Sequence, residues 1–130
     1  MGTIKTFQDI EAWQKARILT RKVYEASKRE GFIKDFGLRD QIRAASVSIM
    51  ANIAEGFERE GNKEFKQFLS LAKASTAEVK SHLVVALDQA YIDQVLFTEL
   101  QELTDEIGRM VAGFMGYLSN SSIKGRKYRL

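Results

Sequence analysis

The chain reads as an all-α protein, an antiparallel up-down-up-down four-helix bundle that assembles into an oligomer, and three observations predict this. Its 130 residues contain no proline, and proline in a helix interior costs about 3 kcal/mol, so no proline interrupts long helices. Apolar residues recur at intervals of three and four along four segments of about 20–28 residues, the spacing of one buried helical face. The connectors between these segments run to about 3–8 residues, which favours antiparallel neighbours.

The first helix is expected from about Phe7 to Arg29. Thr6 with Asp9 three residues on forms a capping box in which Asp replaces the usual Glu. Its apolar stripe is Ile10, Trp13, Ala16, Val23 and Tyr24, with Leu19 and Ala26 at the margins, and its outer face is basic: Lys15, Arg17, Arg21, Lys22, Lys28 and Arg29. Gly31 ends it, and the loop to Gly37 carries Phe32 and Phe36.

The second helix ends near Gly56 and holds no charge between Arg43 and Glu55. Its main stripe is Leu38, Ile42, Ala45, Ile49 and Ile53, and a second apolar stripe, Val47, Met50 and Ala54, lies on another side. A helix of a monomeric bundle needs one buried face, so a helix with two predicts a neighbour on each side. A charged connector with Phe57 leads to Asn62, read as the next N-cap.

The third helix spans about Lys63 to Ala90, with the stripe Phe65, Phe68, Ala72, Ser75, Val79, Leu83, Ala86 and Ala90 and a small-residue centre. Asp93 is expected to cap the fourth helix, whose stripe is Leu96, Leu100, Leu103, Ile107, Met110, Phe114 and Tyr117. Its last turns, Met110 to Leu118, are uncharged. The domain reading is therefore a bundle over residues 1–118 and a flexible basic tail over 119–130.

Charge is segregated. Residues 1–56 hold ten Lys/Arg against seven Asp/Glu, residues 57–118 hold six against ten, and the tail adds Lys124, Arg126, Lys127 and Arg129 without an acid. Such a division suits an anionic partner or a complementary protein surface. The absence of cysteine excludes disulfides, thiolate metal sites and cysteine nucleophiles. No apolar run reaches the ~18 residues of a membrane span, and the N-terminus has no signal-like apolar core, so a cytoplasmic location is expected.

The residues also carry a family resemblance. Phe7-Gln8-Asp9-Ile10 with Trp13 and Ala16 resembles the opening "F-x-D-L-x-x-W-x-x-A" of a known family. Leu38-Arg39-Asp40-Gln41-Ile42-Arg43 continues into Asn52-Ile53-Ala54-Glu55-Gly56 with Arg59, and Lys63-Glu64-Phe65, Phe68-Leu69 and Ser75 to Glu78 resemble its third-helix pattern. This is the four-helix-bundle family named after proteins encoded in intervening sequences of bacterial large-subunit ribosomal RNA genes. Departures are Ala44 where a second arginine is common, Met50 where proline is common, and Ala90-Tyr91-Ile92, which lacks a frequent glycine. The resemblance implies a homo-oligomer, typically a pentamer, with no established enzymatic activity. Related bundles serve as accessory subunits of retroelement reverse transcriptases.

Candidate residues divide into two sets. Ile49, Met50, Asn52, Glu55, Gly56 and Arg59 form a structural and oligomer motif: Asn52 supplies hydrogen bonds in or beside the core, Gly56 takes the left-handed C-cap position, and Glu55 pairs with a cation such as Arg59 or Arg43. Arg17, Arg21, Lys22, Lys124, Arg126, Lys127 and Arg129 are the candidate nucleic-acid contacts, with Tyr128 able to stack on a base. The i, i+4 pair Glu78 and His82 is read as surface or interface rather than metal, since di-iron bundles repeat Glu-x-x-His. The fourth-helix acids Glu99, Glu102, Asp105 and Glu106 are read as a solvated face or as partners for a neighbour's first helix. No catalytic residue, cofactor or metal is expected. The expected function is a non-enzymatic oligomeric scaffold whose partner is RNA or a nucleic-acid-processing protein. The alternative is a purely protein-binding homo-oligomer.

Overall fold

A computed structural model describes residues 3–120 and the backbone of a short strand at 128–129. Four helices carry the described fold: α1 (Glu11–Ala26), α2 (Phe36–Glu58), α3 (Asn62–Asp88) and α4 (Gln94–Ser119). Single 3-10 turns at Phe7–Asp9 and Phe32–Lys34 precede α1 and α2, and β1 (Thr3–Ile4) pairs with β2 (Tyr128–Arg129) in a two-residue antiparallel ribbon. Helix α1 packs on α2, α2 on α3, α3 on α4, and α4 back on α1. Leu19, Ile49, Ile53, Phe65, Leu69, Leu83, Leu100 and Ile107 fill the shared core.

The first segment is shorter than its pattern suggests. Asp9 Oδ2 accepts the Lys5 and Thr6 backbone N–H groups at 2.9 and 3.0 Å, but this cap closes the 3-10 turn. Ile10 is then extended, and α1 starts one residue later. Leu19 and Ala26 lie in the core rather than at its margin, and Tyr24 faces outward. The Arg43 guanidinium lies over the Tyr24 ring at 4.7 Å and donates from Nε to the buried Ser27 hydroxyl at 2.7 Å. A cation beside the apolar stretch thus fastens the end of α1 to α2.

Ile42, Ala45, Ile49 and Ile53 form the buried stripe of α2 as expected, and Ser46, Gly56 and Phe57 extend it, while Leu38 is half-buried. Asn62 is the first residue of α3 rather than its cap; Gly61, at φ 87°, takes the cap position that a side chain would strain. Leu69 and Thr76 join the core of α3, Phe68 is half-buried, and Ala90 lies beyond the helix end.

Asp93 caps α4 through its Oδ1, 2.8 Å from the Leu96 N–H. Of the expected α4 stripe, Leu100, Ile107 and Phe114 are buried, whereas Leu96, Leu103, Met110 and Tyr117 are half-buried. Thr104, Val111 and Leu118 complete the buried face. An apolar count passes over Thr104, yet its hydroxyl donates to the Leu100 carbonyl at 2.7 Å and so enters the core without an unmet donor.

Candidate functional site

The motif around Asn52 lies on the seam between α2 and α3. Asn52 Nδ2 donates to the Ser48 carbonyl at 2.9 Å and to the Ser48 hydroxyl at 3.0 Å, and the Ser75 hydroxyl of α3 donates to Ser48 Oγ at 3.0 Å. A polar chain therefore links the two helices where their side chains are small. One turn on, Gly56 sits inside α2, and a Cβ there would lie 2.7 Å from Phe68 Cβ and 2.9 Å from Phe65 Cδ1. This corrects the C-cap reading: Gly56 is not left-handed, and its missing side chain is what lets α3 approach. Among the described residues the glycines at positive φ are Gly31 and Gly61.

Glu55 and Arg59 pair at 2.9 Å one turn apart on the exposed side, and the Arg59 guanidinium lies 5.0 Å from the Phe68 ring centre. Ile49 is fully buried. Met50 is half-buried on the α1 side, its Sδ 3.3 Å from the Thr20 hydroxyl, and it packs on the core of its own chain together with Ala54, Met110 and Tyr117. Within the uncharged stretch between Arg43 and Glu55, α2 leaves Ala44, Val47 and Ala51 outside, with Val47 42% exposed. Beside the Ser48–Ser75 contact, α3 adds Leu71, one turn from Ser75 and 54% exposed.

The basic residues of α1 are divided by α4. Lys22 Nζ meets Glu99 Oε2 at 2.7 Å, and Lys15 meets Glu106 at 3.7 Å. The hydrogen bond that the Lys22 ammonium donates to Glu99 holds its pKa above the usual value. Arg17 and Arg21 remain exposed. Lys124, Arg126 and Lys127 lie outside the described residues, and Arg129 is described only as backbone of β2.

A feature that sequence reasoning missed lies between α3 and α4. A groove of about 520 Å³ is lined by Lys73, Thr76 and Lys80 of α3 and by Thr104, Asp105, Gly108 and Arg109 of α4, among others. Lys80 pairs with Asp105 at 2.7 Å. The residues that form it are scattered singly along two amphipathic helices, so no local motif announces it. Glu78 is exposed and His82 half-buried; among the described residues no group of three His, Asp or Glu could hold a metal ion. Among them too, no helix is long and apolar enough to cross a membrane.

Residues 8–113 match the model of the family described as 23S rRNA-intervening sequence protein. The chain belongs to that family. The intervening-sequence fold is also seen in the crystal structure, at 1.70 Å, of a protein of unknown function from the S23 ribosomal protein family of Bacteroides thetaiotaomicron. That protein is similar to this chain with a TM-score of 0.73 and 20% identity, over 80% of this chain and 97% of its own. At that identity the likeness speaks for the fold alone. No curated protein matches the chain.

One departure from the intervening-sequence pattern has a structural consequence. Ala90, in the segment where the family often has glycine, sits at φ 59°. The Tyr91 N–H reaches back to the Ala86 carbonyl and the Ala90 N–H to that of Leu87, each at 2.9 Å, which is a Schellman ending with alanine in the left-handed position.

Proposed function

We propose that the chain is a non-enzymatic, self-assembling scaffold, an up-down-up-down bundle that presents repeated basic surface to RNA. The antiparallel order is supported by contacts that run in opposite sequence directions. Lys15 meets Glu106 and Lys22 meets Glu99; Thr20 meets Ser46, and Ser27 meets Arg43. Assembly is carried by one observation: the outer side of the α2–α3 pair is uncharged at Ala44, Val47, Ala51 and Leu71, with two large aliphatic side chains in water. A second copy would remove that apolar surface at roughly 25 cal/mol per Å². A ring of five is what the family resemblance implies. The cytoplasm is the compartment in which such a partner is met.

The RNA reading draws on the net charge of +3 and on the exposed Arg17 and Arg21. The tail residues Lys124, Arg126, Lys127 and Arg129 would add four cations per copy, and repetition around a ring adds weak phosphate contacts through multivalency. Titration with single-stranded RNA at rising salt tests it: affinity should fall steeply as salt rises. Absence of binding at low salt would leave the protein-only scaffold in front. That second reading has its own support, because Glu99 and Glu106 already neutralise part of the basic face of α1.

A further inference from the structure

We propose that the groove between α3 and α4 binds the phosphate of a nucleotide unit, held by Lys73 from one helix and Arg109 from the other. The groove has about the volume of a small-molecule site. Its floor is small: Ala77, Gly108 and Ala112, with Thr76 3.6 Å from where a Cβ on Gly108 would stand. Among the described residues neither Lys73 nor Arg109 forms an ion pair, whereas Lys80 is neutralised by Asp105. One part of the groove thus carries two uncompensated cations, a guanidinium and an ammonium on facing helices, which suits a tetrahedral anion with several oxygens.

The hydroxyls of the floor narrow the ligand further. Thr76 Oγ1 donates to the Lys73 carbonyl at 2.6 Å and Thr104 Oγ1 to the Leu100 carbonyl at 2.7 Å. Thr104 is fully buried and closes the floor from beneath, while Thr76, 6% exposed with its proton committed, offers only lone pairs, so the floor accepts hydrogen bonds while the rim donates them. A phosphate carrying a sugar and a base has this polarity, with oxygens for the rim and O–H and N–H donors for the floor. A lone carboxylate would leave most of the groove unfilled. A free nucleoside monophosphate and a nucleotide within a strand share this chemistry; the strand form rests on the RNA reading above.

The experiment separates the two. Backbone amide resonances of the full chain are followed during titration with adenosine 5′-monophosphate to millimolar concentration. Shifts should cluster at Lys73, Thr76, Gly108 and Arg109 and vanish in the exposed double variant Lys73→Gln/Arg109→Gln, with Lys28→Gln as the surface control. Asp105→Asn should tighten binding severalfold by releasing Lys80, a gain that misfolding does not mimic. No shifts in the groove, or shifts that persist in the double variant, overturn the proposal. In parallel, an RNA strand of about ten nucleotides should lose affinity in the double variant, with the magnitude of the salt exponent falling by about 0.7 for the one phosphate released. Undiminished strand binding by that variant overturns the proposal for strands. Groove shifts with the monophosphate but no RNA binding sustain the site and refute the RNA reading.

Discussion

Two residues with the smallest side chains fix where helices meet and stop, and each predicts a measurable change. Gly56→Ala places a methyl group 2.7 Å from Phe68 Cβ and 2.9 Å from the Phe65 ring. The α2–α3 contact must then open, and such overpacking costs about 1–3 kcal/mol; chemical unfolding should show the loss. Ala90→Gly should act in the opposite sense. A left-handed alanine costs roughly 1–2 kcal/mol, and glycine returns part of that as unfolded-chain entropy, so a net gain of up to about 1 kcal/mol is expected in the same assay. Gly56 was legible in the sequence as a special position, but its cause was not. A glycine near a helix end suggests a cap, and only the packing of Phe65 and Phe68 reveals close approach. At position 90 nothing local marks the backbone angle, because the residue is an ordinary alanine.

At the scale of elements, periodicity located all four helices, and what it missed was the exact centre of each buried face. The α4 pattern alternates steps of four and three through Leu96, Leu100, Leu103, Ile107, Met110, Phe114 and Tyr117, a heptad that drifts by about 20° per repeat around a straight helix. The structure takes Leu100, Ile107 and Phe114 from that pattern and completes the face with Thr104, Val111 and Leu118. A hydroxyl that bonds its own backbone is polar in composition and apolar in effect, so composition cannot place it. The capping box before α1 gives an element-scale prediction. Backbone N–H groups of Lys5, then Thr6, hold the Asp9 carboxyl below the ordinary value of 3.8. The folded value is the lower one, so this cap contributes fully above 3.8 and is lost as pH falls through the depressed value. Amide exchange at Lys5 and Thr6 should accelerate across that interval, and Asp9→Asn should remove the pH dependence.

For the whole molecule, the segregated charge was legible in the sequence, but its destination was not. Three of the four acids of α4 meet cations of the same chain, Glu99 with Lys22, Glu106 with Lys15 and Asp105 with Lys80. Sequence order cannot distinguish an intramolecular from an intermolecular pair when both helices sit on a bundle's outer side. These pairs are partly exposed and contribute little to stability, so the assembly proposed above is tested at the uncharged α2–α3 face. The decisive variant follows from burial. Met50→Glu would place a carboxylate beside Thr20 and the core, and would disturb the fold together with any interface. Val47→Glu with Leu71→Glu changes side chains that a single chain leaves 42% and 54% exposed. Such surface substitutions alter monomer stability by only about 0.5 kcal/mol each. Buried between copies without partners, the same carboxylates cost several kcal/mol. Light scattering should therefore show an oligomer for the unmodified chain and smaller species for the double variant, with helical circular dichroism unchanged. A monomer for the unmodified chain at micromolar concentration would refute assembly. An oligomer of undiminished size in the double variant would move the interface off the Val47–Leu71 face.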